Sequence, residues 1–353
     1  MPFGQLVVGP PGSGKSTYCF GVQQFFAALK RPCLIVNLDP AAPNPAYKAD
    51  VSISDLITLE DAMETFGLGP NGGMLYCLEY LEKNFEWLEE ELERVIVAGG
   101  WNKSRDIVYV IFDTPGQVEL STDHDSLKNV IEKLAKTRWR LAAVHLTDAF
   151  HITEPSKYVS LVLLALRAML QLELPHINVL SKVDQLQNAG ELPFNLDFYT
   201  EVQDLSYLLP LLNQESSDTS KYAALNTAIC EVVEDFGMVG FETLCVEDKE
   251  SMLRLTQLLD RALGYVPPKT SLNVLTEDND YDPHFDEMDD HHHEHVPNVT
   301  LDSLQYVRTV QEKWIDHPKA YAEHERKQWE KEGDQLVQQA NKASQQEAIS
   351  KQR

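Results

Sequence analysis

Disulfide chemistry has little to work with in this chain. Five cysteines are spread over 353 residues (Cys19, Cys33, Cys77, Cys230 and Cys245), and no two stand in a C-x-x-C spacing. An odd, scattered set excludes a disulfide framework and a cysteine-ligated zinc site, and suits reduced thiols. Bases are scarce too: 30 Lys and Arg face 55 Asp and Glu, a formal charge of −25. That balance argues against a direct electrostatic grip on nucleic acid or on an anionic membrane. Long apolar runs are also missing. The richest stretch, Leu161 to Leu170, is interrupted by Arg167 and is too short to cross a bilayer. The N-terminus enters an apolar strand pattern at once, so the expectation is a soluble, cytoplasmic protein without a secretory leader. Glycine and proline number only 17 and 18, so the places where they cluster carry information.

The first such place is Phe3 to Thr17, FGQLVVGPPGSGKST, which reads as an apolar strand, a glycine-rich turn and the opening of a helix. Gly9 to Ser16 fits G-x-x-x-x-G-K-[ST] at every position. Glycines let successive backbone N–H groups turn inward on phosphate oxygens, and the start of the helix adds its positive dipole end. In that pattern Gly12, Ser13, Gly14 and Thr17 frame the phosphates. Lys15 reaches the β- and γ-phosphates, and the Ser16 hydroxyl ligates Mg²⁺. A chance glycine-rich turn is the plain alternative. It does not account for the strand before it or the helical pattern TYCFGVQQFFAAL behind it.

Later apolar runs of strand length each deliver polar residues at their C-terminal ends, the edge where ligands bind in open α/β sheets. Cys33 to Leu38 leads to Asp39-Pro40-Ala41, a carboxylate able to orient water or meet Mg²⁺, or simply to close an Asx turn. Ile107 to Phe112 leads to Asp113-Thr114-Pro115-Gly116-Gln117-Val118-Glu119. There Asp113 suits Mg²⁺, the Gly116 N–H suits the γ-phosphate, and Gln117 and Glu119 stand where an attacking water is held. Leu141 to Asp148 is a fourth strand, and His176 to Leu180 leads into Ser181-Lys182-Val183-Asp184. That segment matches the [N/T]-K-x-D pattern by which GTPases read guanine, except for serine in the first place. A further strand is expected over Val239 to Val246, and helices over Val51–Phe66, Met74–Ala98, Ser156–Gln171, Asp197–Leu209, Lys221–Phe236 and Lys249–Leu263. Gly67 to Gly73 reads as an irregular turn. The alternation predicts an α/β fold: a doubly wound, mostly parallel P-loop domain over 1–266 with helical insertions.

Past Pro267-Pro268 the composition changes. Glu277 to Asp290 holds eight acids and no base, followed by His291-His292-His293-Glu294-His295. A stretch of this kind is expected to be a disordered acidic linker over 267–299. Residues 300–353 are expected to be a helical, partly disordered tail with Trp314, Tyr321 and Trp329 as a sparse apolar stripe for docking. Every nucleotide motif precedes Pro267, so the tail is expected to be dispensable for folding and hydrolysis.

The ordered set GPPGSGKST, NLDPA, GPNGG, DTPGQVE and SKVD resembles the GPN-loop GTPases, whose name is the tripeptide Gly69-Pro70-Asn71. The resemblance runs from residue 2 to residue 265; Ser181 and the stretch GELPFNLDFYTEVQDLSYL look most like one eukaryotic paralogue group. It implies GTP or GDP with Mg²⁺ as ligands and a constitutive homodimer or a heterodimer with another GPN-loop GTPase. It also implies that Asn71 of one subunit acts in the other's site, beside Lys15, Asp39, Gln117 and Glu119. Metal ligation would fall to Ser16, Asp39 and Asp113, and base contact to Ser181, Lys182, Asp184 and Cys245. Two of these depart from the family pattern: Ser181 replaces asparagine and Cys245 replaces serine. Eukaryotic members are implicated in assembly and nuclear import of RNA polymerase II. That implies polymerase subunits or assembly factors as partners, and shuttling between cytoplasm and nucleus. Two other readings remain open: a nucleotide-stabilised assembly scaffold with little turnover, and an ATP-dependent small-molecule kinase, which would need an arginine-rich lid that the chain does not offer.

Overall fold

Short apolar runs, most of them followed by a helix, build one parallel sheet. The computed structural model describes residues 2–101, 108–117, 125–137, 139–189, 192–202, 204–215, 222–266, 303–324 and 326–327. Its strands are β1 (Phe3–Val8), β2 (Cys33–Asn37), β3 (Val51–Ser52), β4 (Tyr109–Asp113), β5 (Arg140–Asp148), β6 (His176–Ser181) and β7 (Phe241–Leu244). They lie in the order β3-β2-β4-β1-β5-β6-β7, and the pairings among the described residues are parallel. Because side chains alternate along a strand, each run feeds both faces. Leu6, Val8, Val36, Val110 and Phe112 pack with Leu78, Leu88 and Val130 from helices Pro70–Lys83, Phe85–Ala98 and Asp125–Lys136. Val7, Ile35, Ile111 and Val144 meet Tyr18 and Phe26 of helix Lys15–Ala28 and Met252 and Leu259 of helix Lys249–Leu263. A third cluster gathers round helix Pro155–Leu172 through Tyr158, Val162 and Leu166. The expected doubly wound α/β fold is therefore what forms.

Four local expectations are corrected. The Val51–Phe66 segment is not one helix. Val51 and Ser52 extend beside Val36 and Asn37 as an edge strand, and the helix spans only Leu59–Phe66, where Thr58 caps the Asp61 N–H. Gly67 to Gly73 is not wholly irregular either: Gly69 is the N-cap and Pro70 the first residue of helix Pro70–Lys83. Proline suits that position because its missing N–H would have no helical partner. The long pattern Met74–Ala98 breaks at Asn84, whose side chain donates to the Tyr80 carbonyl and ends the first helix before Phe85–Ala98 begins. Similarly, Asp197–Leu209 resolves into helix Leu196–Glu201, a 3₁₀ turn Leu205–Leu208 and helix Leu209–Glu215, interrupted by left-handed Val202 and Asp204. The expected linker 267–299 and the tail beyond 327 lie outside the described residues. Among those described, no helix is long and apolar enough to cross a membrane.

Arg31, just past the end of helix Lys15–Ala28, is only 4% exposed. It forms a bidentate pair with Asp260 at 2.9 and 2.6 Å and lies within 4.4 Å of the ring centroids of Phe26, Tyr109 and Tyr265. This pair ties the first helix to the last helix of the domain.

Under the sheet, His145 and Asn178 are register partners, with Nδ1 of the imidazole 3.3 Å from the Asn178 Oδ1. Burial lowers His145 to about 4, and burial together with the charge of His145 lowers His176 to about 3. The unfolded state, titrating near an ordinary histidine value of about 6.5, binds more protons below that pH. Stability from these neutral rings is therefore present above about pH 6.5 and lost as pH falls toward 4 and then 3. His145 alone is expected to contribute on the order of 3 kcal/mol to this loss by pH 4. Urea midpoints between pH 7 and pH 4.5 check this: a His145→Gln variant that is as acid-sensitive as the wild type would refute it.

Candidate nucleotide site

The phosphate loop is shaped by close backbone approach. At Gly9 (φ +146°) a side chain would place Cβ 2.1 Å from the Leu146 carbonyl oxygen of β5, so only glycine fits. Gly14, left-handed at φ 88°, is the N-cap of the helix that starts at Lys15, and Gly12 has φ +79°. Ser13 is buried, its N–H donating to the Pro10 carbonyl at 3.3 Å. Thr17 is exposed on the first helical turn. Lys15 is 8% exposed and its ammonium donates to the carbonyls of Gly9 (3.0 Å) and Pro10 (3.3 Å). Burial lowers its pKa, opposed by the charges of Asp113 and Asp39.

Those two carboxylates come from the ends of neighbouring strands. Asp113, last residue of β4, accepts from the Ser16 hydroxyl (3.1 Å) and the Tyr47 hydroxyl (2.8 Å) on one oxygen, Oδ2. Its Oδ1 is buried with no hydrogen-bond partner. Burial raises the Asp113 pKa, against the two hydroxyl hydrogen bonds and Lys15. An orphaned buried carboxylate oxygen beside a serine hydroxyl fits a hard divalent cation, and Mg²⁺ commonly takes only one or two protein ligands alongside substrate phosphate and water. Among the described residues no group of three or more His, Cys, Asp or Glu is placed to hold a metal without such help. Asp39 follows β2 and accepts the Ala41 N–H at 2.9 Å, which is the Asx turn. Burial raises its pKa as well, and the charge of Lys15 lowers it.

Gly116 lies directly on the lysine. A Cβ there would stand 2.8 Å from Lys15 Nζ and 3.2 Å from Pro11 Cα. The next residue, Gln117, donates from Nε2 to Asn71 Oδ1 at 2.6 Å, so the start of helix Pro70–Lys83 reaches the rim of this site within one chain. Gly69, Pro70 and Asn71 are all exposed. Glu119 lies outside the described residues.

Across β1 and β5, the ends of β6 and β7 carry the remaining predicted residues. Ser181 is buried, with its Oγ 2.7 Å from the Ser13 carbonyl and 2.9 Å from that of Thr147. Its hydroxyl thus ties β6 to the phosphate loop. Lys182, left-handed at φ 60°, donates to the Gly12 carbonyl (2.5 Å) and to Asp148 Oδ2 (2.8 Å). Asp184 is half-buried in the turn Val183–Asn188. Cys245 is buried, its N–H donating to Ser251 Oγ at 3.0 Å; burial first, then the nearby Asp184, pushes its thiol up to about 12. It is a neutral, unreactive thiol near neutral pH.

Sequence reasoning missed three contributors. Tyr47, 66 positions from Asp113, anchors the carboxylate. Asn37 is fully buried and donates to the Ala42 carbonyl (2.7 Å), while its Oδ1 takes the Asp39 N–H (3.0 Å), fixing the loop that holds Asp39. Asp148 fixes Lys182. For Asn37 and Asp148 the signal was present, since both are polar residues ending apolar strands. No local pattern marks Tyr47.

A parallel sheet whose first strand ends in this loop, with a lysine, a serine and a strand-end aspartate converging beyond it, defines a P-loop nucleotide-binding protein. A family model described as a conserved hypothetical ATP binding protein matches residues 7–265. GPN-loop GTPase QQT1 of Arabidopsis thaliana is 51% identical over 267 residues, covering 75% of this chain and 86% of that protein. GPN-loop GTPase 2 of Schizosaccharomyces pombe is 45% identical over 333 residues, 94% of this chain and 96% of that protein, a match that extends past the nucleotide domain into the tail. An apo-form GTPase structure from Pyrococcus abyssi shares the fold, with a TM-score of 0.57 at 24% identity over 74% of this chain and 97% of that one. The chain belongs to the GPN-loop GTPase family.

Proposed function

We propose that this chain binds guanine nucleotides and hydrolyses GTP to GDP and phosphate, working as a dimeric switch. The observation that carries the reading is the convergence at one sheet edge of two sets of groups. Lys15, Ser16, Asp113 and Gly116 form a phosphate site, the turn holding Asp184 is stitched to it through Ser181 and Lys182, and Cys245 follows Leu244, the strand partner of Ser181. Lys15 exchanges its carbonyl partners for phosphate oxygens. Ser16 and Asp113 would hold Mg²⁺, with Asp39 nearby; the ion supplies neutralising charge on the phosphates. Gln117, and Glu119 beside it in sequence, orient the attacking water. Phosphoryl transfer asks little covalent chemistry of a protein, so positioning and electrostatics carry the rate. Asp184 accepts two N–H donors from guanine, whereas adenine presents a lone pair at the same place.

The dimeric arrangement rests on the family resemblance and on the exposure of Gly69-Pro70-Asn71, which leaves the tripeptide accessible to a second chain. On that arrangement Asn71 serves the partner's site, the partner being a second copy or another GPN-loop GTPase. A role in assembling and importing RNA polymerase complexes, in cytoplasm and nucleus, rests on the resemblance alone. Single-turnover GTP hydrolysis with Mg²⁺ tests the enzymatic reading. Gln117→Ala is expected to slow the chemical step by roughly 10² while leaving GTP affinity within about twofold. A wild-type chain that binds GTP and does not turn it over would support the scaffold instead.

A further inference from the structure

The C-terminal segment returns to the nucleotide domain and does so at the base-reading loops. Val307 and Val310 of helix Ser303–Gln311 are each 5% exposed. They share a buried cluster with Val183 and Leu186, which flank Asp184 in sequence, and Trp314 and Ile315 pack against the same cluster. The turn Glu312–Asp316 sits directly on the turn Val183–Asn188. Polar contacts fix the register. Gln311 Oε1 accepts the Leu196 N–H at 2.9 Å, and its Nε2 lies 3.3 Å from Asn195 Oδ1. The Arg254 guanidinium stands 4.4 Å over the Tyr306 ring.

Lys313 reaches the second base-reading loop. Its Nζ donates to Asp248 Oδ1 at 3.2 Å, with the two side chains only 15% and 19% exposed. The other oxygen of Asp248 accepts the Ser251 N–H at 3.1 Å, capping helix Lys249–Leu263. Ser251 Oγ in turn receives the Cys245 N–H. Lys313 is thus joined to the Cys245 backbone through two residues. One short segment therefore touches the 183–188 turn and the 245–248 loop together, although it follows them in sequence only after the acidic stretch.

A base-contacting loop that is already ordered has less entropy to lose when ligand binds, and a tethered segment acts at high effective concentration. We propose that residues 303–316 are an intramolecular brace on the base-reading loops, and that Lys313, acting through Asp248, is a positioning residue that sets how long guanine nucleotide stays bound. The proposal rests on the reading of Asp184 as the guanine contact. It gives the tail a role in nucleotide retention, separate from the expectation that it is dispensable for folding and hydrolysis.

The test uses the full-length chain loaded with a fluorescent GDP in Mg²⁺ and chased with unlabelled GDP. Lys313→Glu places a second carboxylate against Asp248 and is expected to speed release about tenfold, Lys313→Gln about threefold, and Lys313→Arg less than twofold. Affinity for tripolyphosphate, which engages only the phosphate loop, is expected to be the same in all four proteins. Release at the wild-type rate from both Lys313→Glu and Lys313→Gln overturns the proposal. So does a parallel loss of GDP and tripolyphosphate affinity, which would mark a general loosening of the domain. Equal binding of GDP and ADP by the wild type would instead sink the guanine reading, and the release rates would still judge the brace.

Discussion

Replacing Lys15 with alanine is expected to weaken Mg²⁺-dependent GTP binding by roughly 10²–10⁴-fold. The ammonium is buried, and the groups around it are two loop carbonyls and two carboxylates. Phosphate oxygens would gain two charge-assisted hydrogen bonds from it, worth about 1.5–3 kcal/mol each. Without it, Asp113 and Asp39 remain to repel the triphosphate, so the loss exceeds that of a missing contact in water. The fold itself should survive, since alanine is the better helix former at the start of helix Lys15–Ala28. Calorimetry with GTP and Mg²⁺, alongside thermal unfolding, checks both halves. Unchanged affinity would remove the phosphate-loop assignment.

Asn71→Ala should lower GTP turnover by about 10²–10³ with little change in GTP affinity, the effect typical of removing one preorganised donor at developing charge. As an ordinary exposed turn, the same change would be silent within about half a kcal/mol. Two features favour the larger effect. Asn71 stands at the first turn of helix Pro70–Lys83, where Pro70 stiffens the backbone, and its Oδ1 already engages Gln117 beside the lysine. Mixing experiments decide which chain it serves. If Asn71 acts across a dimer, combining Asn71→Ala with Lys15→Ala subunits restores one intact site per heterodimer and about half of wild-type activity. If it acts within its own chain, as the Gln117 contact allows, heterodimers form and remain inactive.

The strands and their order of use were legible because their chemistry is local. A parallel strand covered on both faces reads as a continuous apolar run, and the polar residue ending each run marks the ligand edge. The same logic pointed to Asp113 and Asp184, and the glycine-rich pattern to Lys15 and Ser16. Asn84 and Pro70 escaped because hydrophobic period does not report where a side chain caps a helix: the first split a helix expected to continue, and the second began one where glycines suggested only a turn. What the motif did not show for Ser181 is that its hydroxyl lies on the Ser13 carbonyl. Tyr47 and Lys313 were not legible at all. Their partners, Asp113 and Asp248, lie 66 and 65 positions away, and such pairings are created only by the fold.

Nucleotide choice is the most direct test of the account, because the matching family model is described by ATP and the relatives are named for GTP. Competition of GDP and ADP against a fluorescent GDP in Mg²⁺ measures it in one experiment. A half-buried carboxylate that accepts from guanine N1 and N2 would meet a lone pair on adenine, a mismatch that costs orders of magnitude in sites built to hydrogen-bond their ligand. The account predicts that GDP competes at least about a hundredfold better than ADP and that Asp184→Ala erases most of that difference. Equal competition by the two nucleotides in the wild type would contradict it.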